Sequence, residues 1–169
     1  HTSFQVFLVI YMREILEYSN TLVGVHVALI TMAGIISTPI MGNFSDKLGR
    51  RPVISFAMIL MTILIFLFLF FDRGIMMTFL VGCLGLFFFS VMPIINAAAM
   101  DMVDKGSEGS GTALMFTGGS VIGSITPIFA GIINQSSGFH GVVIFSGIIA
   151  LVGAVLSLIL PMKSAPPEA

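Results

Sequence analysis

Gly42-Asn43-Phe44-Ser45-Asp46-Lys47-Leu48-Gly49-Arg50-Arg51 places four charged side chains between two long apolar runs. Its residues each have a physical use in such a place. Gly42 lets a neighbouring helix come close. Asp46 is an acceptor at the boundary of an apolar layer, where it can meet the N-terminus of a facing helix, whose free N–H groups and dipole favour negative charge. Gly49 suits a tight turn. Arg50 and Arg51 can pair with Asp46 or with lipid phosphates. Pro52 fits the first turn of a following helix. The plain alternative, a basic membrane anchor with a turn, explains Lys47, Arg50 and Arg51 but not Asp46 with both glycines in register.

The surrounding chain explains why so short a stretch matters. Of 169 residues, 57% are hydrophobic and 9% are charged. A soluble domain carries about a quarter charged residues. Such a surface suits lipid and not water. The net charge of −1 says little, because it rests on so few groups. The single cysteine, Cys83, excludes an internal disulfide framework and a cysteine metal site, and it reads as a small apolar residue.

Charge-free runs locate the crossings. No Asp, Glu, Lys or Arg occurs from Tyr18 to Ser45, Pro52 to Phe71, Gly74 to Met100, or Gly109 to Met162. A crossing needs roughly 20 apolar residues. The last run, as one helix, would measure roughly 80 Å, so it crosses twice. The turn-forming cluster Asn134-Gln135-Ser136-Ser137-Gly138 marks the break. The expected fold is an all-α membrane bundle over residues 1–162. A truncated helix at 4–11 precedes spans near 21–41, 53–71, 75–100, 111–133 and 141–162, about 5.5 helices in all. Residues 163–169 read as a disordered tail. The chain opens on His1 without a signal-peptide pattern, which suggests a fragment. Strands of a membrane barrel would alternate in polarity, and no alternation is present.

Charge also orients the bundle. The second and fourth loops and the tail hold Lys47, Arg50, Arg51, Lys105 and Lys163; the odd loops hold Arg13 and Arg73. The positive-inside rule then puts residues 42–52 and the C-terminus in the cytoplasm of a multi-pass protein of the cell (inner or plasma) membrane. Tyr11 and Tyr18 flank the first outer loop, as interfacial aromatics do.

The spans differ in character. Residues 53–71 are nearly all Ile, Leu, Met and Phe, which suggests a helix facing lipid around most of its circumference. The span 141–162 also reads as peripheral, with Gly147 and Gly153 allowing some packing. In 111–133, Gly119, Gly123, Pro127 and Gly131 fall at steps of four and suggest a close helix–helix face. Polar residues deeper in the membrane are candidates for a cavity: Ser90 and Asn96 around Pro93, and His26, whose imidazole titrates near neutral pH but which could be a plain interfacial histidine. Asp101 reads as a solvated charge at a loop edge, with a coupling carboxylate as the sharper alternative. No charged residue lies mid-membrane, where such groups usually mark ion or substrate paths.

The quoted stretch resembles the signature loop of the major facilitator superfamily, roughly Gly-x-x-x-Asp-Arg/Lys-x-Gly-Arg/Lys-Arg/Lys. Gly42, Asp46, Lys47, Gly49, Arg50 and Arg51 match every defining position. In the family the loop joins the second and third helices of a six-helix half, its place here if the truncated helix counts as first. The resemblance implies a small-molecule transporter working by alternating access, with these residues as a conformational latch, no cofactor and no enzyme activity. The polar tail, the lack of an arginine embedded in the fourth helix and the lack of Gly-Pro in the fifth favour the C-terminal half. The implied partners are the lipid bilayer, an N-terminal six-helix half that this chain lacks, and a small-molecule substrate, with protons as the candidate coupling ion; nucleic acid is not among them. A non-transporting membrane scaffold is the competing reading. An intramembrane enzyme is disfavoured because no paired carboxylates, histidine cluster or Ser/His/Asp set lies at membrane depth.

Overall fold

A computed structural model describes residues 2–71 and 73–159. The expected tail at 163–169 lies outside them. Six helices follow in order: α1 Thr2–Glu14, α2 Asn20–Leu48, α3 Arg50–Leu67, α4 Gly74–Phe88, α5 Val91–Met100 and α6 Glu108–Ile159. The stretch Gly74–Met100 is one crossing with a break at residues 89–90. Among the described residues, four helical stretches are long and apolar enough to cross a membrane: α2, α3, α4 with α5, and α6.

The 52 residues of α6 form two limbs, joined where Gly138 leaves helical geometry at φ 62, ψ −165. That region is open essentially to glycine alone. Contacts at the ends show that the limbs make a hairpin. Thr112 donates to the Met100 sulfur at the end of α5. Ser157 meets Ser55 near the start of α3. Phe139, between the limbs, stacks on Tyr11 at 4.1 Å. The sequence cluster at 134–138 thus marks the turn, and Gly138 performs it.

Two helix pairs hold the bundle. The limb 139–159 lies antiparallel along α3. A side chain on Gly147 would fall 2.7 Å from the Phe66 ring, and one on Gly153 would strike Met58. The other pair is α2 with α4. A Cβ on Gly34 would lie 2.5 Å from Phe89, and one on Gly85 would collide with the Ile30 carbonyl. Close backbone approach of this kind replaces the hydrophobic effect as the means of joining helices in lipid. The first helix fills the centre. Phe4 is fully buried and meets Phe68 and Phe88 edge to face at 5.3 and 6.0 Å.

The packing departs from expectation for two spans. The apolar span 53–71 does not face lipid around most of its circumference: Val53, Ile54, Ser55, Ala57, Met61, Thr62, Leu64 and Ile65 of α3 are buried against protein. Conversely, in the limb 108–137 only Ala130 is buried. Apolar composition does not tell a lipid neighbour from a protein neighbour, because both are hydrocarbon.

Candidate functional site: the charged corner between α2 and α3

The signature stretch is mostly helix, not loop. Asn20–Leu48 continues through Gly42, Asp46 and Lys47, and α3 starts at Arg50. At 29 residues, α2 is about 43 Å long, so its last turns reach past a hydrocarbon core of about 30 Å. Only Gly49 breaks the helix, at φ 96, ψ 151. A positive φ is strained for residues with a Cβ, which explains glycine there.

The short corner sets Arg50 one turn beyond Asp46. The two form an ion pair across the corner. Arg50 Nε also donates to Asp101 Oδ2 at 3.2 Å. A third hydrogen bond runs from the same guanidinium to the Ser45 hydroxyl at 3.1 Å, and Ser45 is buried. One planar fork therefore joins the end of α2, the start of α3 and the residue that closes α5. Arginine suits this role because its donors are fixed in a plane, while a lysine offers a single point charge. Arg50 is mostly covered at 22% side-chain exposure, whereas Asp46 at 63% remains open to solvent. Arg51 points elsewhere, donating to the Leu158 carbonyl of α6.

The other predicted residues separate into distinct places. Lys47 is exposed. Nothing lies within 4 Å of a Cβ placed on Gly42, so among the described residues no neighbour uses its small size. The same is true of Gly119 and Gly123, and a Cβ on Gly131 would only touch Phe7 at 3.8 Å. Gly119 and Gly123, with Thr126, instead line a cavity of about 360 Å³ beside α1, α3 and α5. Pro127 is half-buried. Ser90 is fully buried at the α4–α5 break, where its hydroxyl lies 2.7 Å from the Leu86 carbonyl and 2.6 Å from Ser37 Oγ. Asn96 is half-buried. His26 is buried against protein and bonds α2 to α4 through Thr78.

Asp101 is the residue that the sequence reading underrated. It is not a free loop-edge charge but the second carboxylate on Arg50. The available signal was its position: it ends the fourth span on the same side as the signature stretch.

The whole described bundle, from Thr2 to the last limb of α6, matches the model of the Major Facilitator Superfamily, which covers residues 2–169. The chain belongs to that superfamily. It is an integral, multi-pass membrane protein and a transporter of the major facilitator kind. No curated protein matches it.

Proposed function

We propose that the chain is the C-terminal six-helix half of a secondary transporter. It rocks against an N-terminal half around a midplane site, as transporter repeats do in alternating access. The charged corner latches the cytoplasmic side in one of the two states. The observation that carries this reading is Arg50 of α3, which gathers Asp46 and Ser45 of α2 and Asp101 at the end of α5. A bond network spanning three helix ends holds in one arrangement and breaks when the helices shift, which is what a latch requires. The exposed Asp46 face and the open space over Gly42 leave room for a helix from outside this chain.

The orientation follows the charge distribution, with the corner and Lys105 cytoplasmic. Substrate contacts belong to the half-buried Asn96 and its neighbours near the α4–α5 break, with protons as the coupling ion. The test is transport by the full-length protein carrying Asp46→Asn or Gly42→Val. Both should lose most of their transport and still insert in the membrane. Full transport by both would overturn the latch.

A further inference from the structure

The cavity beside Gly119 and Gly123 is walled by this chain alone. Its lining comes from α1, α3, the α4–α5 stretch and both limbs of α6, and it holds about 360 Å³. Ligand pockets run from about 300 to 1,000 Å³, so this one is large enough to be a site. An apolar cavity of about 150 Å³ takes one benzene ring, which gives this one room for on the order of 15 non-hydrogen atoms.

The lining residues explain the space. On the first limb of α6, Gly119, Ile122, Gly123 and Thr126 recur at helical spacing and present one face to the cavity. A Cβ placed on either glycine meets nothing within 4 Å, so that wall stands back. Phe4 and Phe88, whose rings meet edge to face at 6.0 Å, form a rigid part of the opposite wall. Met58, Met61 and Met92 add unbranched side chains that adapt to the shape of what they touch.

The chemistry of the wall is selective. No lining residue is charged, so an ion would give up its water and gain no partner. One polar group is left over. Ser3 lines the cavity and is 3% exposed, and its Oγ has no hydrogen-bond partner among the described residues. Thr126, by contrast, already donates to the Ile122 carbonyl at 2.6 Å. Buried hydroxyls are bonded as a rule, and one left unpaired is costly. Rotation about χ1 lets the Ser3 hydroxyl turn to a partner on the cavity side.

We propose that this cavity binds an uncharged, mainly apolar molecule of on the order of 15 non-hydrogen atoms that carries one hydroxyl or carbonyl group. The polar group bonds to Ser3 Oγ, and the apolar body lies between the methionines and the glycine face. Asn96 is not on this wall, so the site is separate from the substrate contacts proposed above, and it needs neither the latch nor a partner half.

Photolabelling of the full-length protein in lipid nanodiscs tests this, with a diazirine-bearing dodecanol as the probe. Labels should fall on the peptides that contain Met58, Met61 and Met92, and unlabelled dodecanol should displace them to saturation. Dodecane at the same mole fraction in the bilayer should compete about fivefold less well, the worth of one neutral hydrogen bond. Dodecylamine, protonated at neutral pH, should not compete. Ser3→Ala should erase the preference for the alcohol over the alkane. Gly123→Leu, which grows into the open space, should remove the displaceable labelling. Labelling that dodecanol cannot displace would mean that lipid chains fill the cavity, and it would overturn the proposal. Equal competition by dodecane, or a preference for the alcohol that survives in Ser3→Ala, would overturn it as well. If Gly123→Leu does not fold, the parent and Ser3→Ala still decide.

Discussion

Arg50 Nε lies 3.2 Å from Asp101 Oδ2 and joins positions 51 residues apart in the chain. The same guanidinium holds Asp46, four residues earlier. The two carboxylates therefore share one arginine, and whatever moves α5 relative to α2 must loosen it. This is a relation for conformational control more than for stability, because Asp46 and Asp101 are both substantially exposed.

That distinction gives a first prediction. Exposed ion pairs contribute about 0–1 kcal/mol. Asp101→Asn should therefore leave unfolding in detergent or lipid nearly unchanged, within about 1 kcal/mol. Transport by the full-length protein should nevertheless fall several-fold. A drop in stability that accounts for the loss of transport would instead make the pair structural.

Arg50→Lys separates charge from shape. Lysine keeps the charge and loses the planar fork that reaches Asp101, Asp46 and Ser45 together. Its transport rate should resemble that of Arg50→Ala more closely than that of the parent. Parent-like transport by the lysine variant would show that only a positive charge is needed at the corner.

The backbone of the corner can be tested without touching a charge. Gly49 sits at φ 96, where any Cβ is strained. Gly49→Ala should lower stability by about 1–3 kcal/mol, read as a reduced Tm of the purified protein. Gly138 is held at φ 62, and Gly138→Ala should destabilise by about 1–3 kcal/mol. An unchanged Tm in both variants would mean that these turns are not held as described.

The glycines of the bundle divide into two groups with opposite expectations. A methyl on Gly85 would run into the Ile30 carbonyl, which cannot move aside without shifting α2. Gly85→Ala should destabilise by about 1–3 kcal/mol. A methyl on Gly119 or Gly123 meets nothing within 4 Å, so Gly119→Ala and Gly123→Ala should be neutral in this chain alone. If the same two changes impair the full-length transporter, the open space of the cavity that these glycines line is needed for transport.

These contrasts also show what the sequence made legible. The crossings could be placed because membrane-embedded charges are rare, so charge-free runs outline them. The corner could be recognised because Asp46, Gly49, Arg50 and Arg51 occur in a fixed register. Its helicity could not be read, since charges and glycines resemble a loop on paper, while α2 in fact runs on to Leu48. The neighbours were the least legible part. Gly34 and Gly85 make close contacts that the more regular series at 119–131 does not make here. Spacing states that a face is smooth and does not say what lies against it. Asp101 was obscured for a related reason: a carboxylate at a helix end looks the same whether it meets water or an arginine from another helix.

The central claim is that Arg50, Asp46 and Asp101 form a latch that biases the transporter toward one state. The most direct test needs no substrate. Pairs of spin labels, one at the charged corner and one on the proposed partner half, in a cysteine-free full-length background that includes Cys83→Ala, report the balance of open and closed forms as a distance distribution. Asp46→Asn and Arg50→Ala should each move that distribution markedly toward the open cytoplasmic form. A distribution identical to that of the parent in both variants would contradict the latch.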